Sequence, residues 1–308
     1  MVKKRKSFVA GILHNPSLLE YVKVGIVLLL FLAVSASNSD ITASLVKQRD
    51  IARIPAFDGT VAPLRHTLNW TAMTAQENKD FRSGKLTFET AGSKLVPIMA
   101  YDATKLCENE PGTPKWQELS KPTKNMFLTY VTAYNGKYSA GSEKACQGNG
   151  SHPGVDIRAA KGTPIFAIAN GMVLKAQYSS GSGNHVCILH PNVPSFEDPS
   201  KKDNYVSCSL HMDKIDPAMK EGTIVVKGDT IGYVGKTGLA TTHHLHFQID
   251  KTTAAFSPYW PFTSKEAKNA GLDYVEAVDF GLNKDNVGKF TVNPMEWIQL
   301  HKAKPGAA

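Results

Sequence analysis

The chain has 308 residues, of which 42% are hydrophobic and 20% are charged. This balance is typical of a globular protein and excludes an intrinsically disordered one. The net charge is +8, but five basic residues and one acidic residue within positions 1–23 account for half of it. Residues 137–250 carry eleven basic and ten acidic residues, so the charge pattern predicts no nucleic-acid partner.

Residues 1–36 are predicted to form an export segment, either a signal peptide or a signal anchor. A basic start precedes an apolar run of 11 residues at positions 24–34. A membrane-spanning helix usually needs about 20 residues, whereas the apolar part of a signal peptide needs about 7–15. Val34-Ser35-Ala36 offers a cleavage site, but the long leading segment resembles that of an anchor. Both interpretations stay open, and a buried helix of a cytosolic domain is the third.

Either export interpretation leaves the basic end in the cytoplasm and places the rest of the chain outside it. The predicted location is therefore extracytoplasmic: the periplasm, the cell wall or, if the segment is retained, the outer face of the cytoplasmic membrane. In that last case the membrane is a partner. The sequence gives no signal for an oligomeric state.

The chain has four cysteines, Cys107, Cys146, Cys187 and Cys208. An even number in an exported chain suggests disulfides, and the spacings fit no Cys-x-x-Cys metal site. If His190 pairs with Tyr205 across an antiparallel hairpin, Cys187 faces Cys208 at a distance close to that of a disulfide. A Cys107–Cys146 disulfide then follows by elimination. Free buried thiols are the alternative.

Residues 37–125 are predicted to form a stalk or accessory region to which the sequence assigns no function. Pro55, Gly59 and Pro63 give turn signals. Residues 85–90 alternate as a strand does, and Pro97 limits the apolar run 95–100 to an edge strand or extended loop.

From residue 126 onward, short β-rich runs alternate with turn signals. The predicted strands are 127–134, 164–169, 172–178, 185–190, 205–210, 223–226 and 230–234. This pattern predicts an all-β fold, a compact antiparallel sheet, sandwich or barrel, over residues 126–300. No long amphipathic helix separates the strands, which excludes a parallel α/β sheet.

Residues 251–290 leave this pattern and look inserted. A short helix is predicted at 264–270, begun by Thr263 or Ser264 and ended by Gly271. Another helix is predicted to start at Asn293 as N-cap, with Pro294 in the first turn. Residues 301–308 are expected to be a frayed tail.

Two short motifs supply candidate metal ligands. In the predicted strand 242–249, His244, His246 and Gln248 share one face, while the other face is apolar. In His152-Pro153-Gly154-Val155-Asp156, the Pro-Gly turn can bring His152 and Asp156 together. Two histidines and a carboxylate suit Zn²⁺ and leave a fourth position open. His211, at the end of a strand, is a candidate general acid or base, or else a half-exposed structural histidine.

These motifs together resemble the lysostaphin-type zinc metallopeptidases, which cut peptide cross-links in bacterial cell walls. The resemblance rests on five segments in the family's order, His152-Pro153-Gly154-Val155-Asp156, Gly162-Thr163-Pro164-Ile165 with Asn170-Gly171-Met172-Val173, Ser209-Leu210-His211, Val226-Lys227-Gly228-Asp229-Thr230-Ile231-Gly232 and His244-Leu245-His246-Phe247. They span residues 126–250, under half of the chain, and Asn293 to Ile298 resembles the family's closing segment. The loop 191–204 and the insertion 251–290 depart from the family pattern and are expected to border the groove.

The resemblance implies zinc ligands at His152, Asp156 and His246, and a catalytic pair at His211 and His244. It implies a zinc-dependent endopeptidase that hydrolyses the peptide cross-links of peptidoglycan, with the site in a groove of a compact antiparallel β-fold. Which catalytic histidine acts as the base stays open. The alternatives are a non-catalytic module that binds cell wall or activates a hydrolase, and a lipoyl-like carrier domain, which leaves the histidines unexplained. His185 and His190 are interpreted as structural, and strand alternation turns His243 away from the metal.

Overall fold

The computed structural model describes residues 50–69, 72–98, 107–109, 119–122, 130–139 and 149–302. The chain divides into two compact units, Met1–Arg53 and Ile54–Ala308. The predicted export segment, most of the predicted tail and the Cys107–Cys146 disulfide lie outside the described residues and side chains. In the part of the chain that is described, no helix has the length and apolarity that a membrane span requires.

The second unit is built mainly from short strands. Two small pairs precede the main sheet, β1 (His66–Leu68) with β2 (Leu95–Pro97) and β3 (Cys107–Asn109) with β4 (Leu119–Pro122). The strands of the main sheet are β5 (Tyr130–Thr132), β6 (Val155–Arg158), β7 (Pro164–Phe166), β8 (Gly171–Ser179), β9 (Gly183–Pro194), β10 (Lys202–Ile215), β11 (Ile224–Val225), β12 (Thr230–Val234), β13 (His244–Lys251) and β14 (Thr291–Val292). This sheet confirms the predicted all-β class.

The main sheet runs in the order β11-β8-β9-β10-β13-β6-β5, and every pairing in it is antiparallel. β12 pairs with β10 and β7, and β14 pairs with β13. β13 therefore lies between β10 and β6. This central position places the His-x-His strand next to both segments that carry its predicted partners.

Successive side chains of β13 point alternately to the hydrophobic core and to the face that carries His244 and His246. Leu245, Phe247 and Ile249 are buried in the main hydrophobic core, each at 0–1% exposure. Burial of such a side chain contributes about 1.5–3 kcal/mol. A one-residue shift in register would put these three side chains where the histidines lie, so core packing fixes the register of the site.

The β9–β10 hairpin has the predicted register. His190 pairs with Tyr205 and Cys187 pairs with Cys208. The two cysteines form a disulfide, which confirms the pairing derived from the sequence.

Residues 54–98 pack against the sheet within the same unit. The Val61 N–H donates to the Ile168 carbonyl at 2.8 Å, and Leu64 is fully buried in the main core. Helix α1 (Ala75–Ser83) begins with a capping box of Thr74 and Glu77. The predicted division at residue 125 stays a prediction.

The strand predicted at residues 85–90 is wrong. The chain makes a turn there, with one isolated bridge from Thr87 to Lys161. The Thr90 hydroxyl accepts from the Thr87 N–H at 2.9 Å. A threonine side chain that satisfies a nearby backbone N–H favours a turn over a ladder.

The segment 251–290 contains more helix than the sequence predicted. Helix α2 (Ser264–Asn269) has the predicted N-cap Thr263. Helices α3 (Tyr274–Phe280) and α4 (Lys284–Phe290) were not predicted. Helices α2 and α3 enclose a separate small core of Phe262, Ala267, Ala277 and Val278, whereas Val287 of α4 joins the main core. Helix α5 (Pro294–Leu300) follows, capped by Asn293 as predicted.

Candidate metal centre

The pairing of β6 with β13 sets Asp156 directly opposite His246. His152 lies just before β6, and the three side chains are buried. The His246 Nδ1 atom lies 2.9 Å from the Asp156 Oδ1 atom and 3.1 Å from the His152 Nε2 atom. The His152 Nε2 and Asp156 Oδ1 atoms are 3.3 Å apart. The structure thus brings together the three predicted ligands.

The remaining hydrogen bonds turn lone pairs toward the shared space. The His152 Nδ1–H donates to the Ala133 carbonyl at 3.1 Å, which leaves a lone pair on Nε2. The His246 Nε2–H donates to Gln248 Oε1 at 3.0 Å, which leaves a lone pair on Nδ1. Two nitrogen lone pairs and a carboxylate oxygen that converge in a buried place favour a cation between them.

The spacing of the three donor atoms fits a small tetrahedral cation. Ligands about 2.0–2.1 Å from Zn²⁺ lie about 3.3 Å from one another in a tetrahedron. The three donor separations, 2.9 to 3.3 Å, are close to that edge. The donor set of two imidazoles and one carboxylate is also one that Zn²⁺ accepts.

The turn between His152 and Asp156 needs glycine at position 154, because the backbone there lies too close to β13 for a side chain. A Cβ atom at this position would lie 2.8 Å from His246 Nε2 and 2.6 Å from the Phe247 carbonyl oxygen. Both distances are too short for carbon, so a larger residue would displace His246.

The two predicted catalytic histidines lie beside the donor cluster. The His244 Nε2 atom is 3.6 Å from Asp156 Oδ1, and its Nδ1–H donates to the Thr242 carbonyl at 2.8 Å. The His211 Nδ1–H donates to the Thr237 carbonyl at 2.8 Å. The His211 and His244 ring centres are 5.0 Å apart. Each ring thus has its Nε2 atom left for chemistry.

His211 occupies a strained backbone position. Its φ is +62°, in the left-handed region that residues other than glycine rarely adopt. The register of β10 against β9 shifts between Ser209 and Met212, on either side of it. This irregularity takes His211 out of the ladder and places its ring 6.1 Å from that of His246. Such strain, about 1–3 kcal/mol, is often found at functional sites.

Burial controls the charges of the site. Burial, with the neighbouring His244 and His246, lowers the pKa of His211 to about 3, so the imidazole is neutral at pH 7. For Asp156, burial alone would raise the pKa. The imidazoles of His152, His244 and His246 close to the carboxylate outweigh burial, and the pKa of Asp156 lies well below its usual value. Asp156 is therefore ionised.

A groove with a volume of about 450 Å³ opens onto the site and reaches His211 and His246. Ser180, Gly181, Ser182 and Leu239 are among the residues of its lining. The segment 251–290 contributes Phe256, Pro258, Trp260, Phe262, Thr263, Ser264 and Tyr274. The insertion therefore borders the groove, as expected.

Sequence reasoning missed the aromatic part of the groove. Trp260 and Tyr274 stack with ring centres 5.3 Å apart and planes 18° from parallel. Trp260 also contacts His246, at 6.1 Å between ring centres. The run of aromatic residues from Phe256 to Phe262 was the available signal, but it lies outside the matched motifs.

The other strand histidines lie away from the cluster. The His190 Nδ1–H donates to the Asn170 carbonyl at 2.9 Å, and its Nε2 lies 2.8 Å from the Ser207 hydroxyl. His185 bonds the Gly183 carbonyl, and His243 bonds the Phe81 carbonyl. These contacts agree with the structural interpretation.

Fold and donor set together define a β-sheet domain with a metal-binding groove. Residues 150–258 match the model of peptidase family M23. The solved catalytic domain of lysostaphin from Staphylococcus simulans is 32% identical, and the match covers 34% of this chain and 70% of that domain, with a TM-score of 0.28. The chain belongs to peptidase family M23. The family assignment rests on sequence identity and coverage and not on the structural superposition, whose TM-score is low.

Curated relatives match over the same part of the chain. The peptidoglycan DD-endopeptidase ShyC of Vibrio cholerae serotype O1 is 37% identical over 99 residues, which cover 32% of this chain and 20% of ShyC. Lysostaphin of Staphylococcus simulans is 32% identical over 120 residues, which cover 39% of this chain and 22% of lysostaphin. The chain thus spans about a fifth of the length of these relatives.

Proposed function

We propose that this protein is a zinc-dependent endopeptidase that hydrolyses peptide cross-links of bacterial peptidoglycan. The observation that carries the proposal is the convergence of His152, Asp156 and His246 on one point beside two further imidazoles. Relatives named as peptidoglycan endopeptidases and lysostaphin support the substrate class.

His152, Asp156 and His246 would hold the zinc ion. Bound there, Zn²⁺ would polarise the scissile carbonyl and lower the pKa of a water toward about 7. His211 and His244 supply proton transfer next to it: one takes a proton from the attacking water, and the other stabilises the developing oxyanion or protonates the leaving amine. His211 and His244 each donate Nδ1–H to a backbone carbonyl, so the Nε2 atom of the neutral ring is free to accept a proton in both.

The groove is the part of the site that would select the substrate. Trp260 and Tyr274 supply aromatic surface to its lining, and residues 180–182 supply polar surface. An extended peptide laid along the groove would pass His211 and His246. The walls then determine which residues flank the bond that is cut.

The proposed site of action is outside the cytoplasm, where peptidoglycan lies. The predicted export segment at residues 1–36 agrees with this location. If that segment is retained, it anchors the enzyme to the cytoplasmic membrane.

Digestion of purified peptidoglycan tests the proposal. Sacculi that differ in cross-link chemistry are incubated with the zinc-loaded protein, with the chelator-treated protein, and with that protein after zinc is restored. Mass spectrometry of the released fragments identifies the bond. We expect cleavage of a peptide bond that the chelator abolishes and zinc restores. Intact sacculi in every arm, with zinc bound at one equivalent, would instead indicate the non-catalytic alternative.

A further inference from the structure

A buried hydrogen-bond chain leads away from the far side of His246. Its Nε2–H donates to Gln248 Oε1 at 3.0 Å. The Gln248 Nε2 group donates to the Tyr259 carbonyl at 2.7 Å and to Asp250 Oδ1. The Tyr259 N–H donates in turn to Asp250 Oδ2 at 2.9 Å. Gln248 and Asp250 are both 0% exposed, so water does not compete for these bonds.

The orientation of the Gln248 amide follows from its partners. A backbone carbonyl only accepts hydrogen bonds, so the group that faces the Tyr259 carbonyl must be the NH₂ of Gln248. Asp250 Oδ1, on the same side, is a second acceptor. A turned amide would set its oxygen against both of these oxygens. Gln248 Oε1 is therefore held toward His246.

A fixed amide oxygen determines the tautomer of His246. An oxygen without a hydrogen needs a donor opposite it, so Nε2 of His246 carries the proton. The lone pair then lies on Nδ1, the atom that is 2.9 Å from Asp156 Oδ1 and 3.1 Å from His152 Nε2. With the opposite tautomer, an N–H would point into the space between the three donors and exclude a cation.

We propose that Gln248 and Asp250 are positioning residues that hold His246 in its metal-binding tautomer, and that the backbone of Tyr259 anchors them. The inference rests on the proposed metal site. It gives the segment 251–290 a second task besides bordering the groove, because Tyr259 belongs to that segment. The neighbouring Ser257 carbonyl accepts from Lys175 Nζ at 2.7 Å, which ties the anchor to strand β8.

Three variants of the full-length protein test the hydrogen bonds behind His246. Gln248→Leu removes the oxygen that faces His246. Asp250→Asn leaves one acceptor oxygen where Asp250 has two, so either Gln248 or the Tyr259 N–H loses its acceptor. Ser207→Ala is the matched control, since it breaks the buried bond to His190 on the neighbouring strand.

Zinc affinity is measured by competition with a chelator of known affinity. Loss of a hydrogen-bond partner behind a metal-binding histidine typically weakens metal binding 10–100-fold. We expect a loss of about this size for Gln248→Leu and for Asp250→Asn, and no change in Ser207→Ala. If Gln248→Leu does not fold, Asp250→Asn decides the outcome.

NMR of the metal-free protein labelled with ¹⁵N-histidine reports the tautomer directly. We expect Nε2–H for His246 in the unmodified protein and a shift toward Nδ1–H in Gln248→Leu. Folded single variants that bind zinc as tightly as the unmodified protein, with an unchanged tautomer, would overturn the inference. A Ser207→Ala control that binds zinc as weakly as the two single variants would also overturn it. Failure of the unmodified protein to bind zinc would overturn the proposed metal site as well, so the two failures are distinguishable.

Discussion

His244 and His246 lie two residues apart on one face of β13, but their surroundings differ. His246 is 2.9 Å from Asp156 Oδ1 and has its other nitrogen occupied by Gln248. His244 is 3.6 Å from the same oxygen and faces His211. We expect His246→Ala to lose zinc, and His244→Ala to keep zinc while cleavage falls about 10²–10⁴-fold. Metal analysis and product release measure the two effects, and a His244→Ala protein without zinc would contradict the assignment.

His211 shows what a single sequence reveals about a residue and what it does not. Its place at a strand end, and the family resemblance, predicted a role at the site. The left-handed backbone and the bond from Nδ1 to the Thr237 carbonyl were not predictable, because both depend on the irregular pairing of β10 with β9. The tautomer of His246 was likewise hidden, since Tyr259 lies in the segment that the motifs do not cover.

At the scale of elements, period-2 alternation was the most informative signal. It predicted strands β8 to β13 and, through the pairing of His190 with Tyr205, the Cys187–Cys208 disulfide. Helix α3 was missed although Asp273 and Glu276 form a capping box that is visible in the sequence. Residues 85–90 alternate without forming a strand because, among the described residues, only the isolated bridge from Thr87 to Lys161 pairs with them.

The disulfide stabilises the hairpin that carries His211. It joins positions 21 residues apart, and closing a loop of that size stabilises the folded state by about 3 kcal/mol through the unfolded chain. We expect the double variant Cys187→Ala with Cys208→Ala to lose about that much free energy of unfolding in urea. Zinc binding at low temperature should persist, because neither cysteine belongs to the donor cluster. An unchanged urea midpoint would contradict this expectation.

The inserted segment offers a test of groove recognition that spares the donors. Phe256 lines the groove and is 51% exposed, whereas Phe280 is 75% exposed and lies outside the lining. A ring that contacts the substrate with only part of its surface contributes about 1 kcal/mol of binding free energy, and its loss raises KM about fivefold. We expect Phe256→Ala to raise KM for a soluble cross-linked fragment with kcat unchanged, and Phe280→Ala to alter neither. Equal effects of the two variants on KM would contradict the prediction that Phe256 contacts the substrate.

At the scale of the whole molecule, the recognisable part is smaller than the folded unit. The family model covers residues 150–258, while the compact unit starts at Ile54. Leu64 and Ile98 belong to the same core as the strands of the sheet, and α5 adds Trp297 and Ile298. Motifs could locate the metal site because its ligands lie in short segments. They could not locate the packing of residues 54–98, which carry no motif and depend on contacts distant in sequence.

The stability of the whole molecule is expected to depend on His190 below neutral pH. Burial lowers the pKa of His190 to about 4, while its bond to the Asn170 carbonyl opposes the shift. The ordinary histidine value is 6.5. The unfolded chain therefore binds a proton that the folded protein does not, and the folded state loses stability as pH falls from about 6.5 to about 4. At 1.36 kcal/mol per pKa unit, the loss is about 3 kcal/mol.

His190→Asn tests this linkage, because asparagine keeps a donor for the Asn170 carbonyl but does not titrate. The free energy of unfolding is measured in urea at pH 7 and pH 4, with chelator present so that metal release does not contribute. Other groups shift with pH in both proteins, so the informative quantity is the difference between the variant and the unmodified protein at each pH. The variant is expected to be less stable at pH 7 and to regain about 3 kcal/mol relative to the unmodified protein at pH 4. If the stability difference between the two proteins is the same at both pH values, the expectation is wrong. Folded His190 would then take up a proton by pH 4, and its Nε2–H would donate to the Ser207 hydroxyl.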